Sequence, residues 1–288
     1  MNVARTPEEL APARRAATIG TFDGVHLGHR RVLDAVRAAG LRSTVITFDP
    51  HPRTFWGLPV ELLATPERRL ELLADAGIDD VLVLRFDAEL ASLTPEAFVD
   101  AYLRPIGVEV VAEGEGFRFG KDRAGDCDLL EQLGFDVRRV PIVGNISSSH
   151  VRRLLADGEV TAAAQLLGRP YEVSGEVVLG DQRGVTLGFP TANLAVPPDL
   201  LVPKNGIYAG SALGHRAAVS IGTNPHYGGH ERRIEAFLLD FEGDLYGQQL
   251  VVELWERLRD EAAFESEAAL VEAIAGDVER TRAASSPA

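Results

Sequence analysis

The sequence is poor in cysteine, in positive charge and in long apolar runs, and each shortage excludes a class of protein. Cys127 is the one cysteine among 288 residues, so neither an intramolecular disulfide nor a zinc site of several cysteines can form. Lys and Arg number 29 against 43 Asp and Glu, a formal net charge of -14. Because nucleic-acid binding usually requires a basic face, we expect no nucleic-acid partner.

Long apolar segments are also missing. No stretch approaches the roughly 20 apolar residues that cross a bilayer, so we expect no membrane partner. The first twenty residues hold acidic residues and prolines where a signal peptide has an apolar run, which predicts a cytoplasmic protein. Nothing in the sequence predicts an oligomeric state.

The length and the change of texture along the chain predict two domains, residues 1–168 and 169–288. In the first, short apolar runs alternate with helical patterns, which is typical of a parallel sheet covered by helices. Its predicted strands are Ala16–Ile19, Arg42–Phe48, Asp80–Leu84, Val108–Ala112 and Val137–Ile142. Its predicted helices lie near Gly28–Ala39, Pro66–Ala76, Pro95–Leu103 and Leu129–Leu133, followed by two more from Val151 to Leu167.

Beyond Gly168-Arg169-Pro170 the sequence changes to short β-rich runs separated by Gly, Pro and Asn turns, which predicts a small β-barrel. The predicted strands are Tyr171–Leu179, Ile207–Ala212, Ala217–Ile221, Arg233–Phe241 and Gln249–Leu258. A helix over about Glu267–Arg282 should end the fold, with a disordered tail from Ala283.

The segment GTFDGVHLGH, Gly20 to His29, follows a predicted strand and opens a predicted helix. A glycine-rich turn into a helix N-terminus presents backbone N–H groups to an anion, at the strand end where open α/β sheets bind ligands. His26 and His29 are three residues apart and therefore share one helix face. Two surface histidines or half a metal site are the simpler interpretation, but no third histidine or cysteine lies nearby in sequence.

This decamer resembles the signature of the nucleotidyltransferase superfamily, and ISSSHVR, Ile146 to Arg152, resembles its second element. A Ser-rich helix start can also be an ordinary cap. The resemblance implies a Rossmann-like domain in which His26, His29 and Arg152 are catalytic. It further implies ATP-phosphate contacts from a set of seven residues: Gly20, Phe22, Asp23, Gly24, Gly28, Ser147 and Ser148.

Two further stretches, TFDPHP at 47–52 and GFRFGKDRAGD at 116–126, resemble the flavin-adenylylating branch of that superfamily. Basic side chains on this loop suit a site for FMN phosphate and ATP. The implied flavin contacts are Phe117, Arg118, Arg123 and Asp126. Where the branch generally has Asp before that Phe, this chain has Gly116.

A second glycine-rich loop, GDQRGVTLGFPTAN, spans Gly180 to Asn193. Glycines permit close backbone approach to phosphates, although such loops are also ordinary turns between barrel strands. Thr191 and Asn193 offer neutral oxygens to Mg²⁺ or phosphate. We therefore expect phosphate contacts from Gly180, Gly184, Gly188, Thr191 and Asn193, with the last two also holding Mg²⁺.

The loop and the segments NGIYA (205–209), SIGTNP (220–225), IEAFLLDF (234–241) and DLYG (244–247) together resemble the riboflavin kinases. The resemblance implies a barrel with a terminal helix, Glu235 as general base and Asn224 as a flavin contact. Asp240 and Asp244 compete for the role of base, but both fit turns. The chain departs from the family at Val185 and His226.

Both resemblances together imply a bifunctional riboflavin kinase and FAD synthetase, with ATP and Mg²⁺ required and FMN and FAD as products. Riboflavin, FMN and ATP are the implied small-molecule partners. The alternatives are an enzyme that retains one of the two activities and a flavin-binding protein without turnover.

Overall fold

A computed structural model describes residues 1–141, 144–180, 184, 187–223 and 232–287. The chain forms two compact units, each with its own core. The first comprises Met1–Val60 and Ala64–Ser147, and the second comprises Glu61–Leu63 and Ser148–Ala288. The predicted division after residue 168 stays a prediction. It differs from this grouping in one respect: it assigns the two helices between Ser148 and Leu167 to the first domain, whereas their contacts lie within the second unit.

The first unit contains a six-stranded sheet in which every neighbouring pair is parallel. Its strands are β1 (Asn2–Ala4), β2 (Arg15–Ile19), β3 (Arg42–Asp49), β4 (Asp80–Arg85), β5 (Val108–Gly114) and β6 (Asp136–Val140). Their spatial order is β1-β4-β3-β2-β5-β6. From β2 the chain continues to β3 and β4 on one side, and after β4 it crosses over to form β5 and β6 on the other side of β2. The carboxyl ends of β2 and β5 therefore flank the crevice where such sheets bind ligands.

Six α-helices accompany this sheet: α1 (Leu27–Arg37), α2 (Pro52–Phe55), α3 (Pro66–Asp75), α4 (Ala88–Ser92), α5 (Pro95–Phe98) and α6 (Cys127–Gln132). Thr65 and Thr94 cap α3 and α5, because their side chains accept hydrogen bonds from Arg68 N and Ala97 N. On α1, Leu33 and Val36 are fully buried, and they fix the helix against the sheet.

The second unit is a closed barrel of six antiparallel strands in the order β10-β11-β8-β7-β12-β9. The strands are β7 (Tyr171–Val178), β8 (Ala192–Ala195), β9 (Gly206–Ala212), β10 (His215–Thr223), β11 (Arg232–Leu238) and β12 (Gln249–Arg259). Alternate residues point inward, as Ile234, Ala236 and Leu238 do on β11. The residues between them therefore face outward and are available to a site.

Among the described residues of this unit, the helices with given bounds are α7 (Ser148–Asp157), α8 (Val160–Leu167) and α9 (Glu267–Ala283). Val151, Leu155 and Leu167 join the barrel core. Helix α9 is fixed largely by polar contacts, because Asp277 is buried between Arg259 and Arg280 and Arg216 donates to the carbonyl oxygens of Thr281 and Ala284.

The structure confirms the predicted fold class, but the helices α2 and α4 were not predicted. Strands β1 and β8 were not predicted, and Val99–Leu103 is a π-helical turn that continues α5. The tail prediction is wrong at Ala284, which is buried against Ala209 and Trp255. In the described part of the chain, no helix has both the length and the apolar character needed to span a bilayer.

Candidate active sites

The turn between β2 and α1 is a strained, compact loop. Phe22, Gly24 and Val25 all have positive φ, at 48°, 77° and 39°. This conformation is unusual for a β-branched residue such as Val25, and strain of this kind clusters at ligand-binding turns. The first turn of α1 thereby faces the crevice.

His26 and His29 lie together at the start of α1, as their spacing predicts. Their rings stack with centroids 3.6 Å apart and planes at 12°. His26 caps the helix, because its Nδ1 accepts a hydrogen bond from His29 N at 3.2 Å. That bond requires a lone pair on Nδ1, so the neutral ring carries its proton on Nε2.

The environment favours a neutral His29. Burial, and to a smaller extent the neighbouring His26, hold the pKa of His29 well below its ordinary value. Its Nδ1 is buried and makes no hydrogen bond to any described residue. A bound polyphosphate would reverse this preference, since a nearby anion favours the protonated ring.

Gly28 has a steric role in this arrangement. A Cβ at Gly28 would lie 3.1 Å from Cε1 and Nδ1 of His26, tighter than ordinary contact. The glycine therefore allows the His26 ring to lie against the helix backbone.

The histidines open onto a cavity of about 390 Å³ above the ends of β2 and β5. The predicted phosphate residues Gly20, Phe22 and Gly28 line it, whereas Asp23 is buried beneath the turn. Gly24 supplies the bend itself. Other lining residues are Thr18, Ile19, Thr21, Arg31, Val32, Glu113, Gly114, Gly116, Phe117, Val140, Pro141 and Ile146.

Among the predicted flavin contacts, Phe117 lines this cavity, and its ring stacks on Phe119 with centroids 5.5 Å apart. Arg118 lies 3.4 Å from Asp126, which caps α6 by accepting from Leu129 N at 3.0 Å. Arg123 is exposed and has φ 57°. Asp126 and Arg118 thus have local structural partners, and their flavin contacts stay predictions.

The second nucleotidyltransferase-like element falls at the boundary between the units. Ser147 ends the first unit, and Ser148 begins α7 in the second. The Nε of Arg152 donates to Glu61 O at 2.7 Å, a contact within the second unit. The catalytic role of Arg152 and the phosphate contacts of both serines stay predictions.

The barrel brings Thr191, Asn193 and Glu235 together. Asn193 on β8 lies directly opposite Glu235 on β11, so the two side chains share the outer face of the barrel. Thr191 Oγ1 donates to Glu235 Oε2 at 3.3 Å. A hydroxyl, an amide and a carboxylate from distant parts of the chain thus form one oxygen-rich cluster.

Two described glycines of the second glycine-rich loop, Gly180 and Gly184, lie against this cluster. A Cβ at Gly180 would collide with the Asn193 side chain, and one at Gly184 would collide with the carbonyl of Phe189 while lying 3.4 Å from Thr191 Oγ1. Gly188 has φ +84 and no neighbour within 4 Å. Gly180 and Gly184 therefore permit close approach, whereas Gly188 permits a left-handed turn.

Two cavities meet at Thr191. The first, of about 310 Å³, is walled mainly by apolar and aromatic side chains, including Phe189, Phe237, Phe264 and Leu270, and Glu235 opens into it. The second, of about 290 Å³, lies between β7, β11 and the turn that follows β11, with Asp244 and Tyr246 on its rim. A reaction that joins two ligands could therefore take place at Thr191 and Glu235.

The competing carboxylates have structural explanations. Asp240 has φ 58° and pairs with Arg282, while Asp244 accepts from Tyr246 N in a turn. Asn224, Val185 and His226 lie outside the described residues, so the flavin contact of Asn224 stays a prediction.

Sequence reasoning missed two groups, Glu113 and the pair Arg259–Asp277. Glu113 is buried beside the histidines, and Arg259 and Asp277 line the apolar cavity of the barrel. Neither lies in a recognisable motif, and a carboxylate on a strand ordinarily indicates a solvated face.

Comparison with known proteins agrees with this division of the chain. A family model described as FAD synthetase matches residues 9–152, and one described as riboflavin kinase matches residues 167–285. A bifunctional riboflavin kinase/FMN adenylyltransferase from Listeria monocytogenes is 35% identical, covering 96% of this chain and 95% of its own. The protein of the same description from Pseudomonas fluorescens is 37% identical, and the match covers 100% of this chain and 99% of that protein.

One solved structure is similar along the same length. It is described as a macrolide-efflux protein from Streptococcus pneumoniae, is 31% identical, and superposes with a TM-score of 0.90 over 97% of this chain and 98% of its own. The architecture of both units therefore recurs in a single known chain.

Proposed function

The chain belongs to the family of bifunctional riboflavin kinase/FMN adenylyltransferases, and on that premise we propose that its barrel phosphorylates riboflavin and its parallel-sheet unit adenylylates the FMN so formed. The observation that carries the proposal is the cluster of Thr191, Asn193 and Glu235 where two cavities of the barrel meet. The stacked histidines over the β2–β5 crevice support the second activity.

In the kinase step, riboflavin occupies the larger apolar cavity, where Phe189, Phe237 and Phe264 offer aromatic surface to the isoalloxazine ring. The phosphates of ATP extend from the second cavity beneath the glycine loop. Glu235 accepts the proton of the ribityl 5′-hydroxyl as that oxygen bonds to the γ-phosphorus. The bond from that phosphorus to ADP breaks, and ADP and FMN leave.

Mg²⁺ fits this cluster by the chemistry of its donors. Thr191 Oγ1, the Asn193 side-chain oxygen and the Glu235 carboxylate are hard oxygens within one small region, which Mg²⁺ prefers. Thr191 and Asn193 would hold the ion, which when bound neutralises phosphate charge during transfer.

In the adenylylation step, an FMN phosphate oxygen attacks the α-phosphorus of a second ATP and pyrophosphate leaves. Backbone N–H groups at the start of α1 and the Nε2–H of His26 face the developing charge. A protonated His29 adds a positive charge next to it. Arg152 completes the proposed constellation, and no residue acts as a nucleophile.

A cytoplasmic location is part of the proposal, since both steps consume ATP. The proposal also places the flavin of the second step near Phe117, Arg118, Arg123 and Asp126. Asn224 is assigned to riboflavin in the first step.

The test is a time course of the full chain with riboflavin, ATP and Mg²⁺, with separation of riboflavin, FMN and FAD by chromatography. We expect FMN to rise before FAD. If the chain forms FMN from riboflavin but forms no FAD, even from supplied FMN, it has the kinase activity alone. FAD from supplied FMN without FMN from riboflavin would leave an adenylyltransferase only, and binding without product would indicate a flavin-binding protein.

A further inference from the structure

Glu113 is a buried carboxyl group in the crevice between β2 and β5. The β2–β5 ladder pairs Ala16 with Val110 and Ala17 with Val111, and it ends there. Beyond that point, Glu113 Oε1 accepts from Ile19 N at 2.6 Å and from Thr18 Oγ1 at 3.1 Å. A side chain thus takes the place of the next backbone partner on β5.

Because the Glu113 side chain bonds to β2 in place of a backbone group of β5, the sheet has a different shape at its carboxyl edge. Gly20 N, one residue on, bonds to Ile46 O of β3, so β2 stays paired on its other side. On the β5 side, a side chain reaches across a gap that a direct backbone bond would close. The crevice that holds the His26–His29 pair is therefore kept open by Glu113.

Glu113 is also the one acidic side chain among the described residues that line the cavity. It is 4% exposed, and Gly116 contributes no side chain there. The titratable or charged groups around it are His26, His29 and Arg31 from α1 and Cys127 from α6. Burial raises the pKa of Glu113 well above its usual range, against the opposing effect of its two hydrogen bonds.

We propose that Glu113 is a positioning residue of the adenylyltransferase site, where its two hydrogen bonds to β2 fix the end of that strand and keep the crevice open to the phosphates of ATP. A carboxylate at the same place would repel an entering polyphosphate. The inference rests on the proposed adenylylation activity. It implies that ATP binding weakens as pH rises and Glu113 loses its proton.

The experiment measures FAD formation from supplied FMN, with varied ATP and Mg²⁺ in excess, from pH 6 to pH 10. The variants are Glu113→Gln and Glu113→Leu in the full chain. Glu109→Gln is the matched control, because Glu109 lies on the same strand but is exposed and pairs with Arg14. Riboflavin kinase activity of each variant reports on the barrel unit, and the thermal unfolding transition of the parallel-sheet unit, followed by circular dichroism, reports that the unit holding Glu113 has folded.

For the wild type and Glu109→Gln we expect the KM for ATP to rise at alkaline pH. Glu113→Gln should keep kcat and show a smaller rise than the wild type, because its amide oxygen still accepts from Ile19 N and carries no charge. The part of the rise that comes from deprotonation of His29 should remain in every variant. Glu113→Leu should raise the KM for ATP by about tenfold at every pH, the size expected when a buried hydrogen-bond partner is removed. Kinase activity should be unchanged in all variants.

An alkaline rise as large in Glu113→Gln as in the wild type, or a folded Glu113→Leu enzyme with wild-type KM, would overturn the positioning role. A wild-type enzyme that makes FMN but no FAD from supplied FMN would instead remove the proposed adenylylation activity. The two failures are thus distinguishable.

Discussion

The two units build phosphate-transfer sites by different means. In the parallel-sheet unit the site is largely backbone: a turn with three positive-φ residues between Phe22 and Val25, a helix start, and two stacked rings, one of which caps the helix. In the barrel it consists of side chains, with Asn193 and Glu235 placed face to face by strand register. The first site therefore depends on chain conformation, and the second depends on residue identity.

This difference predicts where conservative substitutions do most damage. A change that preserves shape but alters one functional group should affect the barrel strongly. A Gly→Ala change should affect a site where the glycine lies against a functional side chain. Gly28 lies against His26 in the parallel-sheet unit, and Gly180 lies against Asn193 in the barrel.

The largest effect is expected for Glu235→Gln. Gln preserves the size of Glu235 and its place opposite Asn193, but it cannot accept the hydroxyl proton, so FMN formation should fall by about 10²- to 10⁴-fold. FAD formation from supplied FMN should be unchanged. Glu256→Gln, an exposed change on β12, is the control for both rates. Equal loss of both activities would break the assignment of one activity to each unit.

His29→Ala tests the opposite site. Removal of the ring should slow FAD formation by about 10²-fold or more, the scale for one group aimed at developing charge, while FMN accumulates. His215→Ala, a histidine on β10 of the barrel, serves as the control for FAD formation from supplied FMN. Undiminished FAD synthesis in His29→Ala would contradict the catalytic assignment of the stacked pair.

Gly180→Ala probes the loop over the barrel cluster. The new methyl group would displace the Asn193 side chain, and because Asn193 is proposed to hold Mg²⁺, we expect the Mg²⁺ concentration for half-maximal kinase activity to rise by about tenfold. Gly276→Ala in α9, where nothing lies within 4 Å, is the control. A Gly180→Ala enzyme with wild-type Mg²⁺ dependence would contradict a contribution of Gly180 to the Mg²⁺ site.

The sequence predicted which residues are candidates for the two sites, and their roles stay predictions. The spacing of His26 and His29 predicted that the two rings lie close together. The resemblance to the riboflavin kinases selected Thr191 and Glu235, and the barrel brings these two into contact across 44 residues. Glu113 escaped because its burial depends on where β2 and β5 stop pairing, a contact across 94 residues. The site role of Asp277 escaped for a similar reason, since α9 lacks the apolar stripe that marks a packed helix and is fixed by ion pairs.

Both units also bury an aspartate between two arginines, but only one of these clusters lies at a site. Asp80 lies 3.4 Å from Arg15 and 2.5 Å from Arg42, at the amino end of the sheet and away from the crevice. Asp277 lies 2.6 Å from Arg259, and both line the apolar cavity of the barrel.

Removing either charge should destabilise the chain, since breaking a buried pair costs about 3–5 kcal/mol. Asp80→Asn should lower the melting temperature of its unit and leave every KM unchanged at temperatures where the chain is folded. Asp277→Asn should also raise the KM for riboflavin, by about three- to tenfold, because Arg259 loses the partner that orients it in the cavity wall. Calorimetry and initial rates at varied riboflavin measure both effects. If Asp277→Asn lowers the melting temperature without changing that KM, the Arg259–Asp277 pair has only the structural role that Asp80 has in the parallel-sheet unit.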